Sequence, residues 1–214
     1  MDQSTTIPQS APLTAPFTQG GLVLGITGPT GSGKTTLLRL IQEHGGVILD
    51  CDAIYHELLR TDKKLLAAIE TRFPGTVEDG QLNRKKLGAT VFSDEAALLD
   101  LNAITHTAVK QEVLRQLTKK PALAAIDAIG LFEGGLAELC DTTVAVTAPR
   151  EVRIARIMTR DNIPEDYAAK RVDAQHPNEW FAARCDCTLE NSSSEEAFQA
   201  ECIAFFARLG IMKA

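Results

Sequence analysis

The sequence predicts an α/β fold, a three-layer α/β/α core around a parallel sheet, and two observations carry that expectation. Short apolar runs alternate with amphipathic helical patterns in the order of βα units, the arrangement that buries a mostly parallel sheet under helices on both faces. The run Gly28-Pro29-Thr30-Gly31-Ser32-Gly33-Lys34-Thr35 fills every position of G-x-x-x-x-G-K-[ST] and lies between the first apolar run and the first helical one, as a phosphate-binding P-loop requires. A Gly-rich turn with no ligand is the alternative, and the correct flanks on both sides argue against it.

Taken in order, Leu22 to Thr27 reads as a buried strand, and Thr36 to Ile41 begins a helix that Gly45-Gly46 ends. Val47-Ile48-Leu49 makes a short second strand and delivers Asp50-Cys51-Asp52 at its carboxyl end, where ligands gather in open α/β sheets. Residues 53–120 carry helical patterning and no convincing strand, with breaks near Thr61-Asp62, Pro74-Gly75 and Asp79-Gly80 and a helix start at Ser93-Asp94-Glu95. That segment reads as a helical substrate-binding insertion. Ala122 to Ile126 is a third strand ending at Asp127, Thr143 to Thr147 a fourth, and Cys187-Thr188-Leu189 a weaker fifth ahead of Asn191. Residues 150–175 form an arginine-rich helical hairpin, interrupted at Asn162-Ile163-Pro164, that reads as a lid. Ser193-Ser194-Glu195-Glu196 is a capping box opening a last helix with Phe198, Cys202, Phe205, Phe206 and Leu209 on its core face.

One kinase domain is therefore expected over residues 21–214, behind a flexible tail over 1–20 that carries a single charge, Asp2, and no secretory signal. A hydrophobic content of 44% with 23% charged residues fits a globular chain, and a net charge of −6 excludes the broad basic face of a nucleic-acid binder. No stretch approaches a membrane span. The five cysteines are scattered and include no C-x-x-C pair, so they read as reduced, mostly buried thiols. The expected setting is cytoplasmic, with small-molecule substrates, no nucleic acid, no membrane, and a monomer or weak homo-oligomer.

The chemistry-bearing residues form three groups. Main-chain donors of Gly28, Gly31, Ser32, Gly33, Lys34, Thr35 and Thr36 can cradle a nucleotide's phosphates, with the Lys34 charge on the β/γ-phosphates and the Thr35 hydroxyl on Mg²⁺. ATP and Mg²⁺ are the expected cofactors. Asp50 and Asp52, two apart at a strand end, point to one side if the strand geometry persists; Asp52 would take the acceptor proton and Asp50 would face the metal. Simple capping of the next helix is the competing reading. Arg153, Arg156 and Arg160 recur at helical spacing, and five arginines in the hairpin would repel one another without an anion. Arg156 joins Lys34 as the charge that stabilises phosphoryl transfer, unless Glu151, Asp161 and Glu165 hold these arginines as ordinary ion pairs. His106 reads as packing more readily than as chemistry, and Glu133, an acid following the apolar run Ile129-Gly130-Leu131-Phe132, is expected to be buried and to need a partner, either an acceptor hydroxyl or an arginine.

In their order and spacing these motifs resemble the dephospho-coenzyme A kinase family. The resemblance runs from about Gly21 to Gly210 and rests on the P-loop, Asp50-Cys51-Asp52, Gly80-Gln81-Leu82-Asn83-Arg84, Val91-Phe92, Leu101-Asn102, His106, Leu131-Phe132-Glu133, Arg156, Arg160, Gln175 and Asn191. It implies transfer of the ATP γ-phosphoryl group to the ribose 3′-hydroxyl of dephospho-coenzyme A, the last step of coenzyme A synthesis, with Asp52 as base. It also implies that Arg160 and Asn191 belong to the nucleotide site, and Asp50, Asp52, Arg84, His106 and Glu133 to the acceptor site. Three positions depart from the family: Thr107 and Gly130 replace prolines, and Trp180-Phe181 stands where a lysine is usual, leaving Arg184 as the nearest cation. The competing readings are a P-loop kinase for another small alcohol, nucleoside or nucleotide, and a non-catalytic nucleotide-binding regulator.

Overall fold

A computed structural model describes residues 21–211; the tail expected over 1–20 lies outside them. The central strand is β1 (Leu22–Thr27), buried along almost its whole length, as a strand covered on both faces must be. Then come α1 (Lys34–Glu43), β2 (Val47–Asp50), α2 (Cys51–Thr61), α3 (Lys63–Arg72), the two-residue strands β3 (Val77–Glu78) and β4 (Gln81–Leu82), α4 (Arg84–Val91) and α5 (Glu95–Leu117). The chain continues through β5 (Leu123–Asp127), β6 (Thr142–Thr147), α6 (Arg150–Asp161), α7 (Glu165–Asp173), α8 (Asn178–Ala182), β7 (Cys187–Glu190) and α9 (Glu195–Arg208).

The main sheet has the order β2-β5-β1-β6-β7, and every pairing in it is parallel. β1 is flanked by β5, with Ile26 opposite Asp127, and by β6. The carboxyl ends of β1, β2 and β5 thus open onto one edge, where the P-loop, Asp50 and Asp127 all emerge.

Apolar cores on the two faces of the sheet explain the layering. One joins Leu24, Ile26, Leu37 and Ile41 to Phe198, Cys202, Phe205 and Phe206 of α9, confirming the core stripe read from that helix; the other sets Leu49 and Ile126 against Ile54 of α2 and Val109 and Val113 of α5. Ser194 caps α9 by accepting from Ala197 N–H at 3.3 Å. A separate core of Leu59, Leu65, Ile69, Phe73, Leu87, Val91 and Leu101 holds α2 to α5 together, so the helices of the 53–120 segment pack mainly on one another. Within that segment the expectation of no strand fails. β3 and β4 form an antiparallel hairpin, pairing Val77 with Leu82 and Glu78 with Gln81. Two residues per strand are too few to show an alternating pattern in the sequence.

Candidate active site

The P-loop takes its shape from two glycines that no other residue could replace. Gly28 has φ 136° and a Cβ there would lie 2.1 Å from the Val146 carbonyl oxygen; Gly33 has φ 93° and its Cβ would lie 2.1 Å from Asn191 Nδ2. Both conformations are closed to L side chains by sterics as well as by space. α1 begins at Lys34, two residues earlier than the sequence pattern suggests, and its Gly33 cap supplies no side-chain acceptor. The first-turn N–H groups therefore face the loop, the arrangement that binds an anion. Ser32 Oγ is buried without a hydrogen-bond partner, a further donor left free inside the loop.

The loop is braced from behind. Arg156 donates from Nη1 to the carbonyls of Gly31 (3.3 Å) and Ser32 (3.2 Å) and from Nη2 to Asn191 Oδ1 at 2.9 Å. Asn191 in turn donates from Nδ2 to Ser32 O at 3.0 Å and is 4% exposed. Arg153, also 4% exposed, donates to Thr30 O at 2.9 Å and to Gln175 Oε1 at 3.0 Å. The ion-pair alternative describes three of the five arginines, with Asp161 as expected and Asp173 in place of Glu151 and Glu165. Arg150 pairs with Asp173, Arg160 and Arg171 share Asp161, and Arg153 and Arg156 give their donors to loop carbonyls. Of the five, Arg156 and Arg160 line the phosphate cleft.

That cleft, about 500 Å³, is lined by Thr30, Gly31, Gly33, Lys34, Thr35, Asp52, Asp127, Arg156 and Arg160 among others. Lys34 Nζ donates to Gly28 O at 2.8 Å. Burial pushes its pKa down, while the carboxylates of Asp127 and Asp52 act to hold the ammonium charged. Asp127, which the sequence reading treated only as a strand end, also lines this cleft. Burial raises its carboxyl to about 6 against the pull of Lys34, with Asp50 and Asp52 adding to the rise. The sequence alone does not mark Asp127: it closes a strand whose pairing with the P-loop strand appears only in the fold.

The strand geometry assumed for Asp50 and Asp52 does not persist. Asp50 is the N-cap of α2 and accepts from Ala53 N–H at 2.9 Å, and Asp52 stands in the first helical turn. The two carboxylates therefore separate. Asp52 enters the cleft, whereas Asp50 is absent from its lining residues, so the capping alternative describes Asp50.

A second cleft of about 230 Å³ adjoins the first, between α2, α5 and the 128–136 loop, and it too is lined by Asp52, with Tyr55, Asn102, Thr105, His106, Gly130 and Gly134. His106 thus faces a cleft rather than the apolar core. Arg84 lies farther out, in an apolar groove of Leu59, Leu82, Leu87, Val91 and Phe92 that shares Tyr55 and Leu101 with the second cleft. Glu133 is exposed rather than buried, and its recorded partner is His176, at 3.9 Å, not an arginine. Phe181, where the resemblance expects lysine, is 1% exposed and belongs to the interior, and the Arg184 guanidinium lies 4.0 Å from the centre of the Trp180 ring.

Two clefts meeting at one carboxylate suit a transferase, and comparison with known proteins specifies which. A dephospho-CoA kinase family model matches residues 22–196. The chain belongs to the dephospho-CoA kinase family. A dephospho-CoA kinase of Syntrophotalea carbinolica is 35% identical over 194 residues, 88% of this chain and 92% of the relative. The solved structure of dephospho-CoA kinase from Campylobacter jejuni superposes with TM-score 0.63 at 25% identity, covering 89% of this chain and 98% of that one. A shikimate kinase from Bacteroides thetaiotaomicron, 14% identical with TM-score 0.52, shares the fold alone. Membership of the family makes the protein an ATP-dependent phosphotransferase with an alcohol acceptor. Among the described residues no helix is long and apolar enough to cross a membrane, and no group of three His, Cys, Asp or Glu side chains could hold a metal by itself.

Proposed function

We propose that ATP occupies the P-loop cleft, that dephospho-CoA places its ribose in the second cleft, and that the 3′-oxygen attacks the γ-phosphorus as ADP leaves and the proton passes to Asp52. The observation that carries this reading is the position of Asp52, the one carboxylate common to both clefts. A base there reaches a hydroxyl directed at the phosphate loop, and Lys34 and Arg156 offset the charge on the transferring group. His106, Asn102 and Thr105 supply polar contacts for the ribose and adenine, and Arg84 an outer cation for the acceptor's diphosphate. Turnover by ADP release over an acceptor panel tests the assignment. Dephospho-CoA should exceed adenosine, AMP and shikimate by at least about 10²-fold, and equal or better turnover of any of these rejects it. A cytoplasmic monomer or weak homo-oligomer acting on small molecules, without nucleic acid, remains our expectation.

Mg²⁺ fits the same cleft. Thr35, Asp127 and Asp52 bring one hydroxyl and two carboxylates to it, too few for an all-protein cage and enough for an ion that completes its shell with phosphate oxygens and water. Held by these residues, the ion would offset the negative charge of the transferring phosphate. Asp127 replaces Asp50 as our candidate for holding it. Because Asp127 titrates near 6 in the folded protein, against an ordinary value of 3.8, the native state keeps a proton that the unfolded chain has released. Stability therefore falls as pH rises through about 4–6 and stays reduced above. Asp127→Asn should remove that slope and raise the ligand-free Tm at pH 7 by roughly 2–4 °C, the shift that about 1 kcal/mol gives in a domain of this size. It should also lower turnover and weaken its Mg²⁺ dependence. Thermal melts across pH, alongside Mg²⁺ titrations of activity, check both; an unchanged pH slope rejects the buried-acid account.

Arg156 and Arg160 separate by environment. Arg156→Ala removes both a cleft cation and the brace on two loop carbonyls, so kcat/KM for ATP should fall by about 10²–10³-fold. Arg160 is exposed and already bound to Asp161, and Arg160→Ala should cost about tenfold or less. Steady-state kinetics with varied ATP decide, and the reverse ranking would move the main phosphate contact to Arg160.

A further inference from the structure

Two consecutive residues connect the phosphate loop to the wall of the second cleft. Gln175 is tied to Thr30 in both directions: its Oε1 accepts from Thr30 N–H at 2.9 Å, and its Nε2 donates to Thr30 Oγ1 at 3.1 Å. The next residue, His176, stacks on Trp180 with ring centres 4.1 Å apart and planes 6° from parallel, and its Nε2 lies 3.9 Å from Glu133 Oε1. Trp180 meets Phe132 edge-on at 6.1 Å and Phe181 at 5.0 Å. Phe132 and Glu133 sit at the tip of a tight loop closed by Gly134 N–H donating to Gly130 O at 2.9 Å, and Gly130 and Gly134 line the second cleft. Pro177 follows at once and limits the backbone freedom between the two sets of contacts.

We propose that His176 and Trp180 are positioning residues that couple nucleotide binding to acceptor binding, transmitting the position of Thr30 through Gln175 to the Phe132-Glu133 tip. This rests on the assignment of the second cleft to the acceptor. A phosphate bound on the P-loop fixes Thr30 and with it Gln175, and the stack then holds the 130–134 loop in the form that receives the ribose. The stack is weak enough to be made and broken. Its two polar ends are half exposed, where an ion pair contributes little by itself, while an aromatic pair adds a modest directional preference. Gln175 alone would brace the loop without reaching the acceptor side; the His176-Trp180 pair supplies the second half of the bridge. By linkage the effect is reciprocal, so acceptor must tighten nucleotide by the same factor.

The test uses the full chain, dephospho-CoA and a non-hydrolysable ATP analogue. Calorimetry should give a dephospho-CoA Kd about 5–10-fold lower with saturating analogue than without. In His176→Ala that ratio should fall to within about twofold of one, while the analogue's own Kd stays within about twofold of the parent value, which also shows the variant folded. His176→Phe, which keeps a ring on Trp180 and loses the pair with Glu133, should retain more of the coupling than His176→Ala. Trp180 is the only tryptophan, so its fluorescence should change on adding analogue in the parent protein and not in His176→Ala. Hydrogen exchange separates the two ways of failing. If dephospho-CoA protects neither residues 101–109 nor 128–136, the cleft assignment fails and the coupling with it. If it protects them and the parent ratio is one, or His176→Ala keeps the parent ratio, the coupling alone is overturned.

Discussion

Asp52→Asn is expected to keep ATP affinity within about twofold and to lose dephospho-CoA phosphorylation by about 10²–10⁴-fold, the range that a positioned general base supplies. The substitution preserves side-chain volume and removes the only carboxylate shared by the two clefts. Folding should change little. Asp52 is an exposed first-turn residue of α2, where the charge contributes about 0.3–1 kcal/mol through the helix dipole, and the cap itself belongs to Asp50. Asp50→Asn keeps a competent cap, since asparagine and aspartate serve that position about equally, so its effect on turnover should stay below about tenfold. Single-turnover rates with pre-bound ATP make the comparison without interference from product release. A larger loss in Asp50→Asn than in Asp52→Asn would exchange the roles of the two residues.

The contrast between Asp50 and Asp52 marks where the sequence ceased to be legible. Glycines, a lysine and a hydroxyl at fixed offsets announce a phosphate loop because each offset answers a steric or electrostatic demand of the anion, and the loop formed as expected. The parallel core strands were equally visible, since buried strands read as apolar runs. An Asp-x-Asp at a strand end is ambiguous, because the same residues continue a strand or cap a helix, and the Ala53 N–H donating to the Asp50 carboxylate decided the matter. Asp127 was missed for a related reason: one acid at the end of an apolar run carries no spacing signal until the pairing of β5 with β1 brings it beside Lys34. The arginine hairpin misled in a different way. Sequence periodicity places guanidinium groups on one face, and Asp161 was a visible partner, but the pattern does not reveal that Asp173 folds back to meet Arg150. Burial of Glu133 failed similarly, because an apolar run that forms a loop leaves its acid in solvent.

Lys34→Ala should lower turnover by at least about 100-fold, as expected for loss of a preorganised cation from a phosphoryl-transfer site. The fold should survive, because Gly28 and Gly33 shape the loop through backbone conformation rather than through the lysine. The substitution also changes the charge balance of the cleft. Lys34 is the group that lowers the Asp127 carboxyl against burial and against its acidic neighbours. Without it the Asp127 pKa should climb above about 6, carrying the proton further toward neutral pH and extending upward the pH range over which native stability declines. A double substitution, Lys34→Ala with Asp127→Asn, should therefore flatten the pH dependence that Lys34→Ala alone extends, while remaining inactive. Lys34→Arg is not expected to restore full rate, since the larger planar guanidinium does not reproduce a compact ammonium at the β/γ-phosphates. Activity, ATP affinity and thermal melts over pH 4–8 on these variants measure the catalytic and electrostatic roles separately. Near-normal turnover by folded Lys34→Ala would remove the lysine from the transfer step, and an unchanged pH profile in that variant would show that Lys34 and Asp127 do not act on each other.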